Sequence, residues 1–222
     1  MKLRIVTLMA LSVVAAALPA ASKFPDPAKD IKVDAPAARQ TAVLAGGCFW
    51  GVEAVFEHLN GVLDVVSGYA GGSERTAHYT VVGTGTTGHA ESVQITYDPA
   101  TITYGRLLKI FFAVAHDPTQ LNRQGPDEGT QYRSTIFYAN AEQKDVAEAY
   151  VRQLNGASVF TRPVVTTVVP LNGFYPAEAD HQNFLARHPD NPYIVANDLP
   201  KLRALETEFP ELLKSRTSPK KK

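Results

Sequence analysis

Between Thr41 and Lys214, short apolar runs of strand character alternate with single stretches of helical spacing. That alternation is the feature that most limits how the chain can fold. Thr41 to Ala45, Val62 to Tyr69, His89 to Tyr97, Ser134 to Tyr138 and Val164 to Val169 read as strands. Helical spacing follows Cys48, where Val52, Val55, Phe56 and Leu59 recur at i, i+3, i+4 and i+7, with Gly61 as the expected C-terminal stop. It returns over Tyr104–Phe112 and Ala141–Leu154, and helices are expected over Pro176–Arg187 and Leu199–Lys214. Asp117 to Gln131 is polar and reads as a loop. Strands separated by single helices, with one adjacent strand pair, predict an α+β two-layer sandwich with helices packed on an antiparallel or mixed sheet. No internal repeat is present.

The ends have a different character. Lys2 and Arg4, an apolar stretch from Ile5 to Leu18, and the small residues Pro19-Ala20-Ala21 have the form of a secretory leader. The apolar stretch is short for a span of roughly 20 residues, so residues 1–21 are expected to be removed, without stable membrane insertion. Residues 22–40 are rich in Pro, Ala, Asp and Lys without periodicity and read as a linker. Residues 41–214 form the expected domain, and 215–222 a basic, disordered tail. Losing Lys2 and Arg4 leaves 20 basic against 22 acidic residues. That balance points away from nucleic acid, and the chain is expected to be periplasmic or extracellular and monomeric.

Cys48 is the only cysteine. In an exported chain such a thiol has no internal partner and is either used or paired with another molecule. It lies in Gly46-Gly47-Cys48-Phe49-Trp50-Gly51, where a strand hands over to a helix. The N–H groups and dipole of a helix start favour a thiolate, which predicts a reactive sulfur with a lowered pKa. Burial as a small hydrophobe is the competing reading of any free cysteine.

Glu91 shares strand parity with Val93, Ile95 and Tyr97. A carboxyl on the apolar face loses hydration, which raises its pKa and keeps it able to donate a proton. An edge glutamate swung into solvent is the alternative. Tyr79, Asp127, Tyr132 and Tyr175 sit in or beside polar loops, and Arg133 is read as half of a structural ion pair. The six histidines offer no metal-ligand spacing. A Cys48 hydrolase using His89 or His181 as base stays open, as do a thiol peroxidase and a non-catalytic binding module.

Several motifs together resemble the A-type peptide methionine sulfoxide reductases: Gly47-Cys48-Phe49-Trp50-Gly51-Val52-Glu53, Gly68-Tyr69-Ala70-Gly71-Gly72, Gly88-His89-Ala90-Glu91, His116-Asp117-Pro118-Thr119, Gly129-Thr130-Gln131-Tyr132-Arg133-Ser134 and Phe174-Tyr175-Pro176-Ala177-Glu178. The resemblance implies a ferredoxin-like sandwich and reduction of the S epimer of methionine sulfoxide, free or within proteins. It implies Cys48 as nucleophile and Glu91 as proton donor. Tyr79 and Tyr132 would bind the sulfoxide oxygen with Asp127 in support, Phe49 and Trp50 would hold the methyl group, and Tyr175 would form a wall. Many members carry resolving cysteines near the C-terminus, and this chain has none. The sulfenic acid on Cys48 would then be reduced by an external thiol, a thioredoxin-like protein or a small thiol, with no other cofactor. Asp180 and Phe184 depart from the residues common at their positions in the family.

Overall fold

A computed structural model describes residues 23–32 and 38–215. The expected leader, residues 1–21, and most of the expected tail lie outside the described residues. The main sheet has six strands: β1 (Gln40–Gly46), β2 (Val62–Ala70), β3 (Ala90–Tyr97), β6 (Ser134–Tyr138), β7 (Thr167–Pro170) and β8 (Phe174–Pro176). Two short strands, β4 (Arg123–Gln124) and β5 (Asp127–Glu128), form a separate hairpin inside the expected loop. The sheet order is β7-β6-β1-β3-β2-β8. It is mixed, because β6 and β7 run parallel while the other neighbours are antiparallel.

The helices are α1 (Phe49–Glu57), α2 (Tyr79–Val82), α3 (Tyr104–Ile110), α4 (Ala141–Gly156), α5 (Phe184–Arg187) and α6 (Leu199–Glu208). Side chains set two of the starts. Thr103 accepts the Arg106 N–H at the head of α3, and Asn140 accepts the Gln143 N–H at the head of α4, each satisfying a donor that the helix itself cannot. α3 widens into a π-turn over Phe111–Ala115. α1 ends at Glu57 with His58 as its cap, before the expected stop at Gly61.

Strand alternation splits the core. Leu44, Val93, Ile95 and Ile136 face the helices and join Phe49, Val52, Phe56, Phe111 and Tyr150 in the main cluster. Val43, Ala45, Ala70, Ala90 and Phe137 form a smaller cluster. α1 packs on β2 and β3, with α6 against it. Glu91 and Tyr69 are cross-strand partners, and Tyr69 pairs in turn with Tyr175.

Two expectations are corrected. Residues 23–32 do not hang as a linker: they strap across α3 and α4. Phe24 is 3% exposed. Tyr150 Oη donates to the Pro25 carbonyl at 2.9 Å, Lys109 Nζ to Asp26 at 2.8 Å, and the Gly105 N–H to Asp30 at 2.8 Å. An irregular strap carries no periodicity, so composition alone reads it as loose. The expected helix over 176–187 is instead strand β8, a 3-10 turn (Ala179–His181) and the single turn of α5. Pro176 holds Tyr175 extended, and that geometry suits pairing with β2.

Candidate active site

Cys48 sits where β1 ends and α1 begins, as the N-cap residue, and is 7% exposed. Gly47 makes the turn with φ at 93°, in the left-handed region, and a side chain there would collide with Gln124 on the β4–β5 hairpin. The hairpin thereby leans directly on the cysteine turn.

Glu91 is 3% exposed at the start of β3. Its Oε2 accepts the backbone N–H of Phe49 at 3.1 Å. Burial pushes its carboxyl up to about 8, the Phe49 N–H opposes this, and the charge of Asp127 adds to it. The acid is therefore largely protonated at neutral pH. Strand parity left a buried and a solvent-swung carboxyl both open, and the structure shows the buried one, with the raised pKa expected of it.

The sulfur behaves differently from the expectation. Burial pushes the Cys48 thiol well up, and the charges of Glu91 and Asp198 push the same way. The Trp50 N–H and the Lys201 ammonium act in the opposite sense and lose. A helix start does favour a thiolate, but complete desolvation of a sulfur outweighs a pair of N–H dipoles. The resting residue is a thiol.

Aromatic rings enclose this pair. Phe49 lies 5.8 Å from Tyr69 and 6.4 Å from Tyr79 by ring centroids. Trp50 stacks on Phe184 at 3.7 Å and 10°, and meets Tyr193 edge-on at 5.9 Å. Burial pushes the Tyr79 hydroxyl up to about 12 and the Tyr132 hydroxyl above its usual range, with Glu91, Asp127 and Cys48 acting on both. Tyr79 and Tyr132 thus share one electrostatic neighbourhood with the thiol, and both phenols stay protonated donors. Asp127 joins the group by accepting the Tyr193 hydroxyl. Tyr175 stands apart: its ring contact is with His89 at 5.8 Å.

Other parts of the chain hold this pocket in place. Glu178 accepts the Tyr69 hydroxyl and the Tyr79 N–H, each at 2.9 Å. Buried Glu53, pushed up to about 7 by desolvation, accepts the Asn183 N–H at 3.0 Å. Asn183 has φ at 52°, which Asn tolerates, and the turn it makes delivers Phe184 to Trp50. Arg133 donates to the carbonyls of Gly88, His89 and Thr130 and so ties down the loop before Glu91. Among the described residues it acts on backbone carbonyls and not in the expected ion pair.

The histidine-base reading fails for His89, whose two ring nitrogens are engaged by the Gly72 N–H and the Ser73 carbonyl. His181 Nδ1 accepts from Trp50 Nε1 at 3.3 Å, and its ring lies 4.1 Å from that of Tyr79, tilted by 32°. Burial holds it below its usual pKa, so it is a neutral wall of the pocket. Tyr193, Phe184, Glu53 and Asp198 were not singled out as site residues. Their place depends on contacts across the whole chain; Glu53 lies inside the cysteine motif, and Phe184 is one of the two positions noted for departing from the family.

Comparison with known proteins gives this pocket its context. Residues 40–212 match the family model described as peptide methionine sulfoxide reductase. A protein of Mesorhizobium japonicum named peptide methionine sulfoxide reductase MsrA 2 is 58% identical over 173 residues, covering 78% of this chain and 89% of that one. A Thermus thermophilus protein named peptide methionine sulfoxide reductase MsrA is 51% identical over 175 residues, 79% of this chain and 98% of its own. The crystal structure of reduced Mxr1 from Saccharomyces cerevisiae superposes with a TM-score of 0.63 at 37% identity, covering 72% of this chain and 91% of that one. Methionine sulfoxide reductase A of Corynebacterium diphtheriae gives 0.60 at 36% identity, over 68% and 76%. A buried thiol beside a protonated acid, on this fold and with these relatives, defines an oxidoreductase. The chain belongs to the peptide methionine sulfoxide reductase family and, within it, to the A type. Its activity is the reduction of methionine sulfoxide.

Proposed function

We propose that the chain reduces the S epimer of methionine sulfoxide, free or in polypeptides, through Cys48 and Glu91. One observation carries this reading. The buried, protonated carboxyl of Glu91 is bonded to the N–H of the residue that follows the only thiol. A sulfoxide is a weak electrophile until its oxygen is protonated, so acid and sulfur must meet at one substrate. Cys48 attacks the sulfoxide sulfur as thiolate, having lost its proton as substrate enters, and Glu91 protonates the oxygen. Tyr79 and Tyr132 donate to that oxygen, Asp127 holds Tyr193 beside them, and Phe49 and Trp50 receive the methyl group. Attack joins the Cys48 and methionine sulfurs, and the S–O bond breaks as the twice-protonated oxygen leaves as water. A water then cleaves the S–S bond and returns a proton, so that the methionine sulfur gains two electrons while Cys48 loses two and is left as a sulfenic acid. Two equivalents of an external thiol, from a thioredoxin-like protein or a small thiol, return it to the thiol with release of water and a disulfide.

The leader-like start supports a periplasmic or extracellular protein that repairs oxidised exported proteins. The central strands β6-β1-β3-β2, with β3 inserted between β1 and β2, support a ferredoxin-like reading of the fold. The deciding assay is turnover of each sulfoxide epimer with dithiothreitol, thioredoxin or glutathione. Wild type is expected to consume the S epimer alone, and Cys48→Ser neither. Undiminished turnover by Cys48→Ser would overturn the reading.

A further inference from the structure

The first turn of α1 rests on an ion pair between a buried carboxylate and a half-buried ammonium that no step above uses. Asp198, at the junction into α6, is 0% exposed. Its Oδ1 accepts Lys201 Nζ at 3.0 Å, and its Oδ2 is buried without a hydrogen-bond partner. Both charges press on Gly51, where any side chain would collide with the carboxylate and the ammonium. Gly51 is three residues beyond Cys48, a spacing that brings positions to the same side of a helix. The pair therefore lies against the turn that carries the sulfur. Carboxylates are almost never fully buried with an idle oxygen unless something offsets the cost.

We propose that the Asp198–Lys201 pair tunes the ionisation of the Cys48 sulfur on top of the burial that dominates it, Asp198 restraining ionisation and Lys201 favouring it. The other groups acting with Cys48 are Glu91 on β3, Tyr79 on α2, Tyr132 and Tyr193, with Asp127 behind Tyr193. Glu91 is mostly neutral below about 8, and the phenols are held above their usual range. Burial raises the Asp198 carboxyl above its ordinary value, the Lys201 ammonium opposes this, and the charge of Asp127 adds to it. Asp198 raises the thiol and Lys201 lowers it, in agreement with their signs.

The arrangement suits a chain with one cysteine. Its sulfenic acid waits for a reductant from outside, and oxidation beyond that state to the sulfinic acid is not recovered by thiols. Because the thiolate is the form that attacks peroxide, a restrained resting thiol reacts slowly with stray oxidant.

The test is the pH dependence of iodoacetamide alkylation in the full chain, where only Cys48 can react through a thiol, read by mass. Asp198→Asn is expected to lower the alkylation midpoint by roughly one pH unit and to hasten oxidation by hydrogen peroxide. Lys201→Met is expected to raise the midpoint, and Lys201→Arg to leave it near wild type. A general loss of packing would not move the two variants in opposite directions. Midpoints that stay put, or move together, overturn the proposal. If Asp198→Asn does not fold, the Lys201 pair still decides, since Lys201→Met must raise the midpoint and Lys201→Arg must restore it. The inference rests on Cys48 as the reacting sulfur. Alkylation reads that sulfur directly, whereas failure of the reductase reading itself would appear as turnover by Cys48→Ser.

Discussion

Glu91 Oε2 accepts the backbone N–H of Phe49 at 3.1 Å, joining the first turn of α1 to the start of β3 across 42 residues of sequence. The bond fixes the acid beside the sulfur without using the acid's own proton.

Replacing Glu91 by Gln keeps the acceptor oxygen and removes the titratable proton. The expected loss in kcat/KM is about 10²-fold or more, the usual worth of a positioned acid. The wild-type rate should fall as pH rises through about 8, where Glu91 ionises, and that limb should vanish in Glu91→Gln. A pH–rate profile of both proteins checks it; a variant with the same alkaline limb would assign that limb to another group.

The same carboxyl links stability to pH. Its folded pKa of about 8 lies above its ordinary 4.5, so the folded state holds the proton more tightly. Stability from this group is full below 4.5 and is lost as pH rises from there to about 8. Glu91→Gln should therefore gain on wild type across that window, by on the order of a few kcal/mol at its top. Paired thermal melts from pH 4 to 9 would measure the gap, and a constant gap would refute it.

Phe184 stacks on Trp50, and Glu53 secures the turn that brings it there. Phe184→Ala removes an aromatic contact worth about 0.5–1.5 kcal/mol. KM for a sulfoxide substrate is expected to rise about two- to tenfold, with kcat changed by less than about twofold. Steady-state kinetics separate the two; a fall in kcat at constant KM would place Phe184 with the reacting groups instead.

The strap over α3 and α4 should contribute to stability and not to chemistry. Phe24→Ala is expected to cost about 3 kcal/mol, as for a buried phenylalanine. Denaturant unfolding would show it, while kcat/KM at 25 °C stays at the wild-type value. A variant as stable as wild type would mean that Phe24 adds nothing to the core.

The central strands and the cysteine turn were legible because their signals are local. Alternation marks β3, glycines mark the turn at Gly47, and the parity of Glu91 offered a buried acid as one of two readings. The C-terminal wall was not legible. Phe184, Tyr193 and Asp198 reach the pocket through a short strand, a 3-10 turn, a left-handed Asn183 and a π-turn, none of which repeats a pattern. The ionisation of Cys48 was misjudged for a related reason. A helix start is visible within six residues, whereas the burial that outweighs it comes from elements far along the chain. Residues 23–32 escaped notice because they are held by single side chains from α3 and α4.

Trp50, the only tryptophan, lies between Phe184 and His181 and two positions from the only cysteine. The protein thus carries an intrinsic fluorophore beside the one sulfur that changes oxidation state. Quenching of that indole should report each passage between thiol and sulfenic acid in real time, without added dye or coupling enzyme. A complete redox cycle could then be timed from the emission of a single side chain.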